Sequence, residues 1–120
     1  MRILLDTCVM LWWIGDSPEL TQEERSLILD PENSIYVSTA SAWEIEIKRK
    51  IHKLGLPDEW KDFVEDTGFN WLYVRPIHTE GIRGLPDIHR DPFDRMIVAQ
   101  AKTEGLFVLT HDANVKAYFD

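Results

Sequence analysis

The sequence Arg-Ile-Leu-Leu-Asp-Thr at residues 2–7 decides the fold, because it contains a short, uniformly apolar β-strand followed directly by an acidic residue. The strand residues are too uniformly apolar to leave one side in water, which is typical of a parallel sheet covered on both faces. Sites in open α/β sheets form beyond the carboxyl ends of the strands. Asp6, which follows the strand directly, is therefore the first candidate site residue.

Outward from this strand, apolar stretches alternate with helical patterns along the chain. Further strands are predicted at residues 35–37, 71–77 and 106–110. Helices are predicted at about residues 9–14, 21–29, 79–84 and 113–118, and three more begin after Ser38 or Thr39, at Pro57-Asp58 and after Asp91-Pro92. Strands separated by helices imply right-handed βαβ units. The predicted fold class is α/β, a three-layer α/β/α fold with a central parallel sheet, in a single domain at residues 1–120.

The chain carries a net charge of −8, from 21 acidic residues against 13 Lys and Arg. This balance argues against a protein that holds nucleic acid by charge alone, since such proteins carry a basic face. Two possibilities stay open: clustered acids that hold cations able to bridge to phosphate, and a basic partner that binds the chain.

The sequence also bears on where the protein acts. No apolar stretch approaches the roughly 18 to 20 residues of a membrane span, and the N-terminus lacks the basic region and cleavage site of a secretory signal. Cys8 is the single cysteine, so an intrachain disulfide is excluded. We therefore expect a cytoplasmic protein with no membrane partner.

Four acids have positions that suit a metal site. Asp6, Glu44 and Asp112 lie at or just past predicted strand ends, whereas Asp94 lies in the first turn of a helix. Carboxylates crowded at one edge of a sheet repel each other, and Mg²⁺ or Mn²⁺, which prefers oxygen ligands, relieves that repulsion. Such an ion can bridge a phosphodiester and lower the pKa of a bound water. The four acids together favour a small metal-dependent nuclease.

Taken singly, each of these acids also fits an ordinary structural role. Asp6 and Asp112 suit helix caps, Glu44 suits a solvated helix face, and Asp94 suits the positive end of its helix dipole. The sequence does not show that the Asp94 end of its helix reaches the same edge of the sheet.

A basic cluster lies just downstream of Glu44, at Lys48, Arg49, Lys50, His52 and Lys53. A solvated helix face accounts for most of these residues, and Lys48 is one turn from Glu44, so the two can pair at i,i+4. Beside an acidic edge, a local basic patch also suits a phosphate backbone. Lys48 and Arg49 are the candidate nucleic-acid contacts.

Other polar and aromatic residues near the acids have structural interpretations. His89 flanks the Asp91–Asp94 turn and His111 flanks Asp112. A histidine base is conceivable at either position, but a metal-bound water needs none, so both are interpreted as structural. Trp12 and Trp13 are adjacent, so they cannot both point inward from a helix, and one of them is expected at a protein interface.

Four segments make the chain resemble PIN-domain proteins, specifically ribonuclease toxins of the VapC type from bacterial toxin–antitoxin pairs. They are, in family order, residues 4–7, residues 38–45, residues 89–101 and residues 109–112. The first reads Leu-Leu-Asp-Thr and the last Leu-Thr-His-Asp, and the third carries His-Arg-Asp-Pro-Phe-Asp-Arg ahead of a helix. Each segment is weak alone, but their order along nearly the whole chain is specific.

The resemblance implies a three-layer α/β/α fold and Mg²⁺- or Mn²⁺-dependent cleavage of RNA phosphodiester bonds. The four metal-binding carboxylates of the family match Asp6, Glu44, Asp94 and Asp112. Thr7 and Thr110 match positions where the family has hydroxyls that support the metal ligands. Asp91 belongs to the same signature and matches a residue that contacts a ligand and does not itself bind the metal. The resemblance further implies a homodimer and a cognate antitoxin that inserts a segment into the active-site groove.

The sequence departs from the family pattern at two places. Cys8 stands where the family more often has His, Asn or Ser, and the chain stops at residues 118–120, where relatives continue through a last short strand. Either the natural protein is longer, or the domain lacks that C-terminal strand and one sheet edge lacks its cover.

Two other function classes stay open. One is a catalytically silent binding module that keeps the PIN-like fold. The other is a different metal-dependent phosphoesterase, such as a phosphatase or a DNA nuclease. Phosphatases that form an aspartyl intermediate want a second Asp two residues after the first, and Cys8 holds that position here.

Overall fold

The computed structural model describes residues 1–51 and 55–120 of the chain. Strands and helices alternate in the order β1 (Arg2–Leu5), α1 (Thr7–Ile14), α2 (Gln22–Leu29), β2 (Ser34–Ser38), α3 (Thr39–Lys50), α4 (Trp60–Asp66), β3 (Asn70–Leu72), α5 (Pro76–Ile82), α6 (Pro92–Glu104), β4 (Phe107–Leu109) and α7 (Ala113–Ala117). Within these ranges, no helix has the length and apolar character needed to cross a membrane.

The four described strands form one parallel sheet in the order β3-β2-β1-β4. Strand β1 lies inside the sheet, where Leu4 pairs with Tyr36 of β2 and with Val108 of β4. Its apolar side chains are fully buried, and they alternate between the faces because successive side chains of a strand point to opposite sides. Ile3 and Leu5 join the apolar core on one face and Leu4 joins the core on the other. The three-layer α/β/α prediction is confirmed.

Most helix starts agree with the sequence because capping side chains fix them. Thr21 accepts a hydrogen bond from the N–H of Glu24, whose side chain accepts one from the N–H of Thr21, so α2 begins with a capping box. Ser38 caps α3 through the N–H of Ala40. At the far end of α6, Gly105 adopts a φ of 69°, the left-handed conformation that ends helices and favours glycine.

The third strand was predicted wrongly. The sequence predicts a strand over residues 71–77, but β3 ends at Leu72 and α5 already begins at Pro76. Aromatic and β-branched residues favour a strand locally, whereas Pro76 has a fixed φ and no N–H, which suits the first turn of a helix. The helix expected to open at Pro57-Asp58 begins at Trp60 instead.

The sheet sets the geometry of one edge of the molecule. Helices α1, α3 and α7 begin within four residues of the carboxyl ends of β1, β2 and β4. Helices of βαβ units run antiparallel to the strands, so α6, which leads back to β4, also begins at this edge. The N-termini of four helices, which are the positive ends of the helix dipoles, therefore surround the carboxyl ends of the strands.

Candidate metal centre

A pocket of about 500 Å³ lies at the carboxyl edge of the sheet. Its lining residues come from α1, α3, the start of α6 and the loop between β4 and α7: Asp6, Thr7, Cys8, Trp12, Glu44, Lys48, His89, Asp91, Asp94, His111 and Asp112. The structure thus brings all four predicted carboxylates into one pocket. It also places Asp94 at the same edge as the other three, the point that the sequence left open.

Two of the acids cap helices and line the pocket at the same time. Asp6 Oδ1 accepts a hydrogen bond from the N–H of Val9 at 2.8 Å, while Oδ2 accepts one from the hydroxyl of Thr110. Asp112 caps α7 in the same way, its Oδ1 accepting from the N–H of Asn114 at 2.8 Å. Asp112 caps its helix through Oδ1 alone, so its Oδ2 remains for contacts with other residues of the pocket.

Glu44 has one oxygen paired and one left over. Its side chain is buried, and Oε2 lies 2.8 Å from Lys48 Nζ, the i,i+4 pair that the sequence predicted. Oε1 is buried without a hydrogen-bond partner among the described residues. A buried polar oxygen without a partner costs free energy, so this oxygen is suited to receive a cation.

Asp94 is held by the cap of its own helix. Asp91 Oδ1 accepts hydrogen bonds from the N–H groups of Phe93 and Asp94, at 2.8 and 3.1 Å, and so fixes the first turn of α6. From that turn Asp94 Oδ2 contacts His89 Nε2 at 2.9 Å, and Asp112 Oδ2 contacts the same nitrogen at 3.2 Å. One ligand atom from each of these three residues lies within 4.8 Å of the others.

The pocket carries an excess of negative charge. Five acids and one lysine line it within the described part of the chain. Burial, followed by repulsion from Asp91, raises the pKa of Asp94 to about 6, although His89 opposes this rise. Burial also raises the pKa of Asp6, against the hydrogen bonds from Thr110 and Val9. The fold thus keeps these carboxylates close together at a cost that a divalent cation would relieve.

Asp112 and Lys48 behave differently. Burial tends to raise the pKa of Asp112, but the hydrogen bonds from the N–H groups of Asn114 and Val115, with help from His89, lower it overall. The hydrogen bond with Glu44 raises the pKa of Lys48. Asp112 therefore stays an anion and Lys48 a cation over a wide range of pH.

The supporting residues fall into two groups. Asp91 contacts Asp94, as described above, and the hydroxyl of Thr110 contacts two of the acids, since it donates to Asp6 and accepts from the N–H of Asp112 at 3.0 Å. The hydroxyl of Thr7, which also lines the pocket, lies 2.8 Å from the hydroxyl of Ser41, and this contact ties α1 to α3. Cys8 lines the pocket, and burial raises the pKa of its thiol, so thiolate chemistry is disfavoured.

The basic cluster is divided by the structure. Lys48 lines the pocket, whereas Arg49 pairs with Glu46 at 3.1 Å and with Asp58 and is not among the lining residues. His52 and Lys53 lie outside the described residues.

His89 and His111 both line the pocket, although the sequence favoured a structural role for each. His89 is the one of these two histidines that contacts any of the four predicted acids. Its contact with two of the four acids makes it part of the site. In the sequence, the feature that could have indicated a site role for His89 is its position in the segment at residues 89–101, two residues before the helix cap Asp91. Trp12 lines the pocket as well, with its ring 4.7 Å from that of His111.

Comparisons with known proteins agree with this architecture. The PIN domain family model matches residues 3–118. Ribonuclease VapC16 of Mycobacterium tuberculosis (strain ATCC 25618 / H37Rv) is 40% identical over 65 residues, which cover 51% of this chain and 46% of that protein. The match thus spans about half the length of this curated relative.

A solved structure shares the fold over nearly the whole chain. The crystal structure of VapBC2 from Rickettsia felis bound to a DNA fragment from their promoter aligns with a TM-score of 0.68. The alignment covers 98% of this chain and 93% of that one at 15% identity, so the likeness concerns the fold.

Proposed function

The chain belongs to the PIN domain family, and on that premise we propose that it is a Mg²⁺- or Mn²⁺-dependent endoribonuclease that acts as the toxin of a toxin–antitoxin pair. The observation that carries the proposal is the convergence of Asp6, Glu44, Asp94 and Asp112 on one pocket. The 40% identity with part of a protein named a ribonuclease supports RNA as the substrate.

The donor set of the pocket suits a hard divalent cation. The four proposed ligands are carboxylates, and Mg²⁺ and Mn²⁺ prefer oxygen ligands and need only a few carboxylates. Glu44 Oε1, which has no hydrogen-bond partner in the described part of the chain, is an oxygen suited to such an ion. When bound, the metal would supply an activated water and stabilise negative charge on the leaving oxygen.

The residues around the acids would orient the ligands and the RNA. Thr110 holds one oxygen of Asp6, and Asp91 fixes the turn that carries Asp94. Lys48 has 42% of its side chain exposed beside the pocket, so its charge is available to a phosphate. Arg49, the other predicted contact, would have to leave two acids to reach RNA.

An exposed apolar surface next to the metal pocket supports a protein partner. Trp43 precedes Glu44 and has 66% of its surface exposed, and its ring lies 5.0 Å from that of Phe93, which precedes Asp94. Both rings line a mainly apolar pocket of about 350 Å³. We propose that a cognate antitoxin binds the molecule at this apolar surface and blocks the metal pocket. We also propose that the toxin is a homodimer and that it acts in the cytoplasm, where its RNA substrate is.

The substitution Asp6→Asn tests the metal-dependent activity. Asparagine keeps an oxygen for the N–H of Val9, so helix α1 and the thermal unfolding midpoint should be retained. Cleavage of RNA in the presence of Mn²⁺ should be abolished, because a charged ligand is lost. Asp66→Asn, at an exposed acid of α4, is the matched control and should cleave normally. An unchanged rate in Asp6→Asn would exclude this mechanism.

Two further measurements separate the alternatives. Matched RNA and DNA strands, offered to the wild-type protein, distinguish a ribonuclease from a DNA nuclease. Calorimetric titration with Mn²⁺ distinguishes an enzyme from a silent binding module. Binding that depends on Asp6 and Asp94 supports the enzyme, and the absence of such binding favours the module.

A further inference from the structure

We infer that, in the metal-free protein, the ring of His89 occupies the position of the cation and donates a hydrogen bond from Nε2 to Asp94 and Asp112. A metal that binds these two acids must therefore displace the ring. The inference rests on the proposed function, since it requires a metal at these acids. It makes His89 a competitor of the metal and not one of its ligands.

The first support is the protonation pattern of the ring. His89 Nδ1 accepts a hydrogen bond from the N–H of Asp91 at 3.2 Å. A ring nitrogen that accepts carries no proton, so the proton of the neutral imidazole lies on Nε2. Nε2 faces Asp94 Oδ2 at 2.9 Å and Asp112 Oδ2 at 3.2 Å, which makes it a donor shared by two carboxylates.

The same pattern argues against His89 as a metal ligand. A histidine that binds a metal through one nitrogen normally donates the N–H of the other nitrogen to a carboxylate, a carbonyl or water. Here the other nitrogen, Nδ1, accepts a hydrogen bond from a backbone N–H. To bind metal through Nε2, the ring would have to move its proton and give up the contact with Asp91.

The second support is the use of the carboxylate oxygens. Asp112 Oδ1 accepts from the N–H groups of Asn114 and Val115, at 2.8 and 3.3 Å. Its other oxygen, Oδ2, faces His89. A cation that bound Asp112 through Oδ2 would therefore compete with the Nε2–H of His89 for that oxygen.

The third support is the way in which the loop holds His89. The hydroxyl of Tyr118, a buried side chain, accepts a hydrogen bond from the N–H of His89 at 2.8 Å. Arg95 donates to the carbonyl oxygen of His89 at 3.3 Å and to the hydroxyl of Tyr118 at 3.0 Å. The main-chain N–H and carbonyl of His89 are thus held by contacts that do not involve the ring. The ring has 19% of its side-chain surface exposed, and its rotation toward solvent would break the contact with the N–H of Asp91 but leave these main-chain contacts in place.

Titration of His89 variants with Mn²⁺, by calorimetry at one fixed pH, tests the inference. His89→Ala removes the donor and should bind Mn²⁺ about tenfold more tightly, since one charge-assisted hydrogen bond no longer has to be broken. His89→Phe keeps a ring without nitrogens and should behave like His89→Ala, which covers the case in which alanine loosens the loop. His89→Gln retains an N–H donor at the end of the side chain and should stay near the wild-type affinity.

Thermal unfolding gives a second readout. A purely structural histidine would change the midpoint without metal but would not change how far Mn²⁺ raises it. Without metal, His89→Ala should unfold at a lower temperature than the wild type, because Asp94 and Asp112 lose their shared donor. Addition of Mn²⁺ should then raise its midpoint by more than it raises that of the wild type.

The possible failures are distinguishable. Weaker Mn²⁺ binding in His89→Ala and His89→Phe would make His89 a ligand and overturn the inference, as would unchanged affinity in both. If neither the wild type nor any variant binds Mn²⁺, the proposed metal site fails, and this inference fails with it.

Discussion

Each end of α6 has a histidine in contact with an acidic side chain, but the net charge around the two histidines differs. At its C-terminal end, the buried His78 lies 3.0 Å from Glu104 Oε1, and Arg75 pairs with the same carboxylate. At its N-terminal end, His89 faces Asp94 and Asp112. Both histidines accept a backbone N–H through Nδ1, at 3.0 Å for His78 and 3.2 Å for His89. The two ring environments are alike, and the charges around them are not.

The difference appears in the acids. The hydrogen bond from His78, followed by that from Arg75, lowers the pKa of Glu104. Burial and repulsion from Asp91 raise the pKa of Asp94 to about 6. Glu104 sits at the negative end of the helix dipole and needs the guanidinium of Arg75, whereas Asp94 sits at the favourable positive end and still lacks sufficient countercharge. At the C-terminal end of α6 the acid is neutralised by a cation, and the cluster serves stability. At the N-terminal end negative charge is in excess, and that end suits a bound cation.

Substitution of one acid at each end gives the largest expected contrast. Asp94→Asn should lower Mn²⁺-dependent RNA cleavage by about a thousandfold, because several kcal/mol of transition-state stabilisation by the metal are lost. Glu104→Gln should cleave at the wild-type rate. The measurement is single-turnover cleavage of a labelled RNA, with circular dichroism as the check of folding. Equal losses in the two variants would show that the rate reports the integrity of α6 and not the metal pocket.

The pH dependence of metal binding gives the next contrast. The pKa of Asp94 is raised from 3.8 to about 6, so the metal-free native protein keeps a proton on Asp94 as pH falls below about 6. Mn²⁺ must then displace this proton, and its affinity should fall by up to about tenfold per pH unit below that point. Above it, the affinity should level off. Calorimetric titrations across this range check the prediction, and an affinity independent of pH would contradict a role for Asp94 as a ligand.

The smallest expected effect concerns the balanced end. Glu104→Gln should lower the free energy of unfolding at neutral pH by about 0.5 to 1 kcal/mol, the value of a surface ion pair, because the side chain of Arg75 is more than half exposed. The folded-state pKa of Glu104 lies below 4.5, so its stabilisation is present above that pH and is lost as pH falls through the folded value. Urea unfolding of both proteins at neutral and acidic pH measures the difference. A gap that persists in acid would mean that the pair contributes through packing and not through charge.

Part of the site could be predicted from local sequence alone. Asp6 follows the first strand directly and Asp112 follows the fourth by a short loop, so the rule for strand ends was sufficient for both. Glu44 and Asp94 needed the resemblance to the PIN family, because an acid inside a helix has many ordinary explanations. The strand predicted at residues 71–77 failed, because side-chain composition favoured a strand while the backbone limits of Pro76 began a helix.

The sequence by itself determined the alternation of strands and helices, the helix caps and the positions of the four acids along the chain. These features depend on neighbours within a few residues, which a sequence displays directly. Only the tertiary structure decided that His89 faces Asp112, 23 residues away, and that Arg49 pairs with Asp58. Charge balance depends on distances between groups far apart in sequence, and folding alone sets those distances.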